Sequence, residues 1–361
     1  MGNYIFGAGK IGAKIKKTML EYNETLDGYI DSYKNGEYEG EKIVDISLVD
    51  QESNVIISVL NTNSIIEIYH SLRNAGIKKI YWYFDAYKKG SKGKNDFFKE
   101  QCLNLSGWGK LIMPHVELHI SDKCNLNCKG CSHFSPLYSD LNASFDKKMN
   151  DVRSLKKLFD NIFRIDILGG EPLLNPELKQ YVEALRTELP ETFIQIYTNG
   201  LLVPKLKDDV LKAIYENNIC ISISEYRPTH NMIENIKHRL DGYNIRYHIA
   251  AYDEKQKFNI PISTSDNSKY PRLCISDGCI TVSDGKISRC PTLMYIERFN
   301  EYFHQNLPTE GIYMINEYSD GYRLLEDMKK EVPLCNHCIK CDIDWSVCEN
   351  EKRIEDFAID E

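Results

Sequence analysis

The sequence lacks long hydrophobic runs. None of the apolar stretches in its 361 residues reaches the roughly 18 residues that a membrane-spanning helix needs. A secretory signal pattern is also missing. The formal net charge is −8, and the sequence has no concentrated basic stripe of the kind that binds nucleic acid. From these absences we expect a soluble, cytoplasmic protein with neither a membrane nor a nucleic-acid partner.

Cysteine, by contrast, is abundant and unevenly placed. Of the twelve cysteines, three lie at 124–131, seven lie between Cys274 and Cys348, and only Cys102 and Cys220 stand alone. Cytosolic proteins rarely hold disulfides, so this grouping indicates metal or redox chemistry rather than a disulfide framework.

The first group reads Cys124-x3-Cys128-x2-Cys131 and is followed by Ser132-His133-Phe134. Three thiolates on one tight loop can hold three irons of a [4Fe–4S] cluster and leave the fourth iron open to a small molecule. A zinc site is the alternative, with His133 as its fourth ligand. About forty residues further on, the sequence Gly169-Gly170-Glu171-Pro172 accompanies the loop.

Together these motifs resemble the radical S-adenosylmethionine (SAM) superfamily. The resemblance implies that the open iron binds the amino and carboxylate groups of SAM. One electron, delivered by a flavodoxin- or ferredoxin-type donor, then cleaves SAM to a 5′-deoxyadenosyl radical. The family normally has an aromatic residue on adenine where this chain has Gly130. Phe134 or His133 is expected to replace it.

The resemblance also assigns residues to the SAM site. Gly169, Gly170 and Glu171 match the turn that receives the SAM amino group, and Asn199 is placed near the adenosyl moiety. Ser222 and Ser224 are candidates for contacts to the ribose or methionine. Arg227 is a candidate partner of the SAM carboxylate, because a guanidinium group suits a carboxylate.

The first hundred residues carry a glycine motif, Gly7-x-Gly9-x-x-Gly12, between a short apolar strand and a helix. A second strand ends at Asp31, where an acidic residue would meet a ribose hydroxyl. Residues 1–100 are therefore predicted to form a Rossmann-like parallel-sheet domain, although the glycines also suit a scaffold without ligand. The stretch resembles the N-terminal domains of sugar-nucleotide N-acetyltransferases, which implies a nucleotide-sugar ligand.

Residues 111–270 show β/α repeats, for which the resemblance implies a partial (β/α)6 barrel. The predicted strands are His115–Ile120, Arg164–Leu168, Phe193–Thr198, Ile219–Ser224 and Asn244–Ile249. Polar and apolar residues alternate along them, which predicts a polar barrel lumen and a polar substrate. An antiparallel sheet with one wet face is the alternative. The lumen candidates for catalysis are Glu117, His119, Tyr197 and His248, each of which also suits a structural hydrogen-bonding role.

Residues 271–361 form a cysteine-rich module. Its motifs, Cys274-x4-Cys279-x10-Cys290 and Cys335-x2-Cys338-x2-Cys341-x6-Cys348, resemble SPASM and twitch extensions of radical SAM enzymes. Within the first motif, Asp284-Gly285 predicts a hairpin at Ile280–Ser288. The resemblance implies at least one auxiliary [4Fe–4S] cluster on Cys274, Cys290, Cys335 and Cys338, with Cys279, Cys341 or Cys348 as substitutes. A zinc site on Cys335, Cys338, Cys341 and Cys348 is the alternative.

The leading functional hypothesis is an oxidoreductase- or epimerase-type radical SAM enzyme that acts on a sugar or nucleotide-sugar in polysaccharide biosynthesis. An auxiliary cluster favours oxidation. Epimerisation needs a thiol such as Cys220, which sits at the wrong end of its strand. The alternatives are a peptide or protein maturase and a non-catalytic iron–sulfur carrier or nucleotide sensor.

Overall fold

The computed structural model describes residues 2–86, 96–138, 144–250, 252–253, 257–266, 274 and 279–359. They form two compact units whose boundary lies between Pro114 and His115. None of the helices in these ranges has the length and apolar composition that a membrane crossing requires.

The first unit is built on a seven-stranded sheet in the order β3-β4-β2-β1-β5-β6-β7. Its elements in chain order are β1 (Asn3–Phe6), α1 (Lys10–Glu21), β2 (Gly28–Ile30), β3 (Gly36–Tyr38), β4 (Glu41–Ile43), β5 (Asn54–Ile57), α2 (Thr62–Asn74), β6 (Lys79–Tyr83), α3 (Phe97–Gln101) and β7 (Cys102–Asn104). The five inner strands pair in parallel, and β3 and β7 are antiparallel edges. The predicted Rossmann-like sheet is confirmed.

Local sequence explains this sheet. Residues 55–57 of β5 are β-branched and fully buried, as expected of a parallel strand covered on both faces. Helix α1 buries Ile15 and Met19, which lie four residues apart and therefore share one helix face.

The second unit is built on an eight-stranded sheet in the order β12-β11-β10-β9-β8-β14-β15-β16. Its first elements are β8 (Ile112–Ser121), α4 (Phe145–Leu158), β9 (Asn161–Gly169), α5 (Leu178–Glu188), β10 (Phe193–Thr198), α6 (Asp208–Glu216), β11 (Cys220–Ile223), α7 (Arg227–His230), α8 (Ile233–Gly242) and β12 (Tyr247–Ile249). Strands β9 to β12 pair in parallel, so the wet antiparallel sheet is excluded here. The predicted parallel sheet of β/α repeats is confirmed.

The remaining elements belong to the same unit. They are β13 (Lys257–Ser263), β14 (Thr281–Ser283), β15 (Lys286–Ser288), α9 (Pro291–Phe303), β16 (Ile312–Met314), α10 (Gly321–Lys329), β17 (Cys338–Asp344) and β18 (Ala358–Ile359). Strand β14 pairs in parallel with β8, with Thr281 opposite Glu117. The barrel sheet therefore continues past the proposed boundary at residue 271.

The predicted hairpin is present as β14 and β15, with Asp284 and Gly285 at φ +53° and +82°. Two positive φ values in a two-residue loop suit the twist of a hairpin. Strands β17, β13 and β18 form a separate three-stranded sheet in that order.

Candidate functional site

The three cysteines of the first group line one cavity of about 230 Å³ at the carboxyl ends of β8, β9 and β10. Burial raises the pKa of Cys124 to about 11 and that of Cys128 to about 12. A thiolate at either position therefore needs a nearby positive charge, which a bound metal supplies. Within the described ranges, no three potential ligands are already drawn together as a metal site.

The glycine turn after β9 packs closely against the residues that lead into the cysteine loop. A Cβ at Gly169 would lie 2.2 Å from the carbonyl oxygen of Ser121, and one at Gly170 would lie 2.5 Å from that of Lys123. The Gly170 amide donates to Ser121 at 2.6 Å. Only glycine allows the turn to approach this closely. The turn therefore positions Cys124, and both glycines line the cavity.

Glu171 lies behind this turn and is fully buried. Its Oε1 accepts hydrogen bonds from the amide of Leu173 (3.0 Å) and the hydroxyl of Thr198 (2.7 Å). Its Oε2 accepts one from the amide of Asn199 (3.0 Å). Burial raises the pKa of Glu171 to about 7. Its carboxyl group thus ties together the ends of β9 and β10 and does not line the cavity.

Other predicted cofactor residues separate into two groups. Asn199 and Ser224 line the cavity. The Asn199 amide donates to the Asn125 side chain at 2.7 Å, which ties the end of β10 to the cysteine loop. Ser222 is buried on β11 and Arg227 is exposed at the start of α7; neither is a lining residue.

Gly130 has φ +69°, and a Cβ there would lie 2.6 Å from the carbonyl oxygen of Asn259 and 3.3 Å from the Phe258 ring. Strand β13 therefore fills the space that a side chain at 130 would need. Phe258 and Tyr226 both line the cavity, as does His133. Phe134 is fully buried against Phe299 and Phe357 and does not line it.

The barrel face predicted to be polar carries a hydrogen-bond network on Asp166. His115 (3.0 Å) and Gln195 (2.8 Å) bond to its carboxylate, and Arg164 donates two bonds at 2.7 and 2.6 Å. Although burial opposes ionisation, His115 and Arg164 hold the pKa of Asp166 well below its usual range. Three neighbouring strands thus share one buried ionic centre.

The proposed catalytic residues lie in different surroundings. Glu117 is buried and accepts a hydrogen bond from Thr281 at 2.9 Å. His119 is buried against the ring of Tyr295, and burial followed by the charge of His133 lowers its pKa well below the usual value. Tyr197 is 39% exposed at the cavity, whereas His248 is exposed on β12 and is not a lining residue.

The C-terminal cysteines divide by location. Cys290 interacts electrostatically with Cys274, Cys338 and Cys335, so the four predicted auxiliary ligands lie near one another. The Cys290 sulfur also caps α9, accepting the Leu293 amide at 3.4 Å. Burial raises the pKa of Cys290 to about 12, and the hydrogen bond from the helix N-terminus partly opposes this shift.

The three substitute ligands lie elsewhere. Cys279 contacts Glu117 beside the polar lumen, and Cys348 interacts with Cys131. Cys341 lies opposite Ile260 in the sheet of β13 and β17. The auxiliary ligand set of Cys274, Cys290, Cys335 and Cys338 and the zinc alternative, which needs Cys341 and Cys348, both stay predictions.

In the first unit, two glycines of the motif, Gly7 and Gly12, pack closely against neighbouring protein atoms. A Cβ at Gly7 would lie 2.3 Å from the Ser58 hydroxyl, and one at Gly12 would lie 2.3 Å from the Gly7 carbonyl oxygen. Nothing lies within 4 Å of a Cβ at Gly9. Glycine is required at Gly7 and Gly12 by packing alone.

Asp31 faces this glycine loop. Its Oδ2 accepts the Ala8 amide at 2.8 Å, and its Oδ1 accepts the amides of Tyr33 (2.9 Å) and Lys34 (3.1 Å). Burial opposes ionisation, but these bonds lower the pKa of Asp31. Both carboxylate oxygens are therefore used within the protein, and binding of a nucleotide by this unit stays a prediction.

Sequence reasoning missed Phe258, Tyr226 and Trp345. The Trp345 indole donates to the Cys128 sulfur at 3.1 Å and its ring packs 5.3 Å from that of Tyr226. No local pattern marks these residues, because strands and loops far apart in the sequence bring them to the cavity.

The comparisons with known proteins agree with this geometry. Residues 118–265 match the model of the Radical SAM superfamily. The GTP 3′,8-cyclase of Helicobacter pylori (strain HPAG1) is 29% identical over 103 residues, which are 28% of this chain and 32% of the relative. That of Limosilactobacillus fermentum is 29% identical over 163 residues, which are 43% and 48% of the two chains. The matches thus span about a third to a half of these relatives.

Among solved structures, BtrN in complex with AdoMet and 2-DOIA aligns with a TM-score of 0.41 and 17% identity over 67% of this chain and 97% of BtrN. The AdoMet-bound anSMEcpe aligns with a TM-score of 0.33 and 19% identity over 38% and 43% of the two chains.

The cysteine loop, the glycine turn and the carboxyl ends of the parallel strands together form a site whose donors can hold an iron–sulfur cluster. Residues 118–265 match the Radical SAM superfamily, whose members use a [4Fe–4S] cluster and SAM. The prediction of these two cofactors is confirmed, and the donor set fits them.

Proposed function

We propose that this radical SAM enzyme abstracts hydrogen from a sugar or nucleotide-sugar, in an oxidation or epimerisation step of polysaccharide biosynthesis. The polar network on Asp166 is the observation that supports it. A hydroxyl-rich substrate can exchange hydrogen bonds with polar groups on this face of the barrel, whereas an apolar substrate offers them none.

At the cofactor end of the cavity, the cysteines, the glycine turn and one aromatic residue have separate proposed roles. Cys124, Cys128 and Cys131 would hold the cluster, and the glycine turn would hold the methionine end of SAM. Phe258 would face the adenine ring in place of a side chain at 130. When bound, the cluster and SAM supply a 5′-deoxyadenosyl radical.

Oxidation of an alcohol needs more than hydrogen abstraction. A base must take the hydroxyl proton and an acceptor must take one electron. Glu117, held by Thr281 and facing Cys279, is the candidate base on the polar face. Cys274, Cys290, Cys335 and Cys338 would hold an auxiliary [4Fe–4S] cluster as acceptor, with a flavodoxin- or ferredoxin-type donor for the SAM site. Soluble, cytoplasmic placement stays a prediction.

Anaerobic assays of 5′-deoxyadenosine formation test the proposal. Reconstituted protein is reduced with dithionite and incubated with nucleotide-sugars, free sugars, GTP and peptides, with Cys128→Ala as the matched inactive control. We expect nucleotide-sugars to stimulate SAM cleavage and to transfer deuterium from a labelled C–H position into 5′-deoxyadenosine. Stimulation by peptides alone would instead indicate a peptide or protein maturase.

GTP is a necessary member of this panel, because the matched relatives are named for cyclisation of GTP. A response to GTP without a response to any nucleotide-sugar would contradict the sugar proposal. Iron–sulfur protein that cleaves no SAM under any reducing condition would indicate an electron carrier or nucleotide sensor.

A further inference from the structure

The segment 345–356 lies more than 200 residues after the cysteine loop yet contacts it along its length. The Lys129 amide donates to Ser346 at 3.0 Å, and the Cys348 amide donates to Asn127 at 2.8 Å. The Gly130 amide donates to Asp356 at 2.6 Å. The backbone around Cys128 therefore has its shape set by this segment, in addition to the glycine turn.

One contact in this interface reaches a cluster-ligand atom. The Trp345 Nε1–H donates to the Cys128 Sγ at 3.1 Å. An indole N–H is a donor only, so it favours the sulfur in its more negative form. The Trp345 ring is held by Tyr226 at a centroid distance of 5.3 Å, with 35° between the ring planes. Strand β17 ends at Asp344 and therefore delivers Trp345 directly from a paired strand.

Hydrogen bonds to cluster sulfurs set the reduction potential of an iron–sulfur cluster. Adding an electron increases the negative charge on the ligating sulfurs, so a donor to sulfur stabilises the reduced cluster more than the oxidised one. We propose that Trp345 is a positioning residue that raises the reduction potential of the SAM-binding cluster through its N–H bond to Cys128. The inference rests on the radical SAM assignment and not on the sugar substrate.

Trp345→Phe tests this, because phenylalanine keeps an aromatic ring against Tyr226 and lacks the N–H donor; the loss of ring volume is matched in the control. We expect reduction to become about ten-fold less favourable, which is about 59 mV lower for one electron. The measurement is a redox titration followed by electron paramagnetic resonance, using the signal that changes when SAM is added. An unchanged midpoint in an iron-replete variant would overturn the inference.

The matched control is Trp82→Phe. The Trp82 indole donates to the Val59 carbonyl at 2.9 Å in the first unit, so this variant loses an equivalent bond without a contact to the cysteine loop. Its midpoint is expected to equal that of the unmodified protein. A SAM-dependent signal in both variants shows that the cluster assignment holds, which separates failure of this inference from failure of the proposed function.

A second measurement avoids substitution, in case the Trp345 variant loses its cluster. Protein labelled with ¹⁵N-indole tryptophan is reduced and studied by pulsed paramagnetic resonance. We expect a ¹⁵N coupling to the SAM-binding cluster, because Trp345 is bonded to its ligand, whereas the other two tryptophans, Trp82 and Trp108, belong to the first unit. Absence of the coupling in labelled, SAM-responsive protein contradicts the proposal.

Discussion

Two loops, one in each unit, both contain closely spaced glycines, but their surroundings differ. The loop Gly7–Gly12 is hydrogen-bonded within the protein. Asp31 accepts the Ala8 amide, and both of its carboxylate oxygens accept hydrogen bonds from backbone amides. The turn at Gly169–Gly170 instead opens onto a cavity that the three cysteines line. Close backbone approach requires glycine in both, so glycine spacing alone does not distinguish a scaffold from a ligand site.

The largest expected effect is a loss of iron from the protein, which we expect when the cysteine loop of the barrel unit is altered but not when the first unit is. Cys128→Ala removes a ligand of the open loop, so we expect loss of the SAM-responsive cluster and of 5′-deoxyadenosine formation to background. Iron analysis and paramagnetic resonance of anaerobic protein measure it. Cys102→Ala, in the first unit, is the control and should retain both. Retention of the SAM-responsive signal in Cys128→Ala would contradict the ligand assignment.

Alanine at one glycine of each loop tests whether their functions are independent. A Cβ at Gly170 would lie 2.5 Å from a carbonyl oxygen and one at Gly12 would lie 2.3 Å from another. Such overpacking costs about 1–3 kcal/mol, so each variant should destabilise its own unit in urea unfolding. Gly170→Ala should also abolish SAM binding, whereas Gly12→Ala should leave it unchanged. Loss of SAM binding in both would show that the two loops are coupled.

The carboxylates behind the loops give opposite pH dependence. Burial raises the folded-state pKa of Glu171 from 4.5 to about 7. Its stabilising contribution is complete below its unfolded pKa and is lost as the pH rises through about 7. The change is up to about 3 kcal/mol, at 1.36 kcal/mol for each pKa unit. Hydrogen exchange of the amides around Asn199, corrected for intrinsic rate, should show protection that falls between pH 5 and 8.

Two controls complete this test. One is the pH dependence of Asp31, and the other is the variant Glu171→Gln. The pKa of Asp31 is lowered, so its contribution is present above its unfolded pKa and is lost only as the pH falls into the acid range. The first unit should therefore show no corresponding loss between pH 5 and 8. Glu171→Gln cannot ionise and should flatten the profile of the barrel unit. A profile unchanged by this substitution would assign the pH effect to another group.

The smallest expected effect concerns the adenine contact. Base stacking on an aromatic ring contributes about 1–3 kcal/mol, so Phe258→Leu should weaken S-adenosylhomocysteine binding about ten-fold. Free methionine has no adenine and should bind equally well to both proteins. Equilibrium titration of cluster-loaded protein measures both ligands. Equal weakening for methionine would show that the substitution disturbs the loop rather than the adenine surface.

Patterns that are local in sequence were sufficient for much of the fold. Alternating residues such as Arg164 and Asp166 predicted a polar barrel face, and Asp284-Gly285 predicted its hairpin; both are found. Phe258 and Trp345 carried no such signal. Their roles depend on docking of β13 and segment 345–356 against Gly130 and Cys128, and the pairing of β14 with β8 is equally remote in sequence.

Cys128 and Trp345 are 217 positions apart in the sequence, so the ribosome synthesises them at different times. A ribosome adding about 5–20 residues per second needs roughly 10–40 s to pass from one to the other. During that interval the nascent cysteine loop has its thiols but not the backbone contacts made by residues 346, 348 and 356. The order of synthesis thus places completion of the cluster pocket after the segment 345–356 has been made and can pack against the cysteine loop.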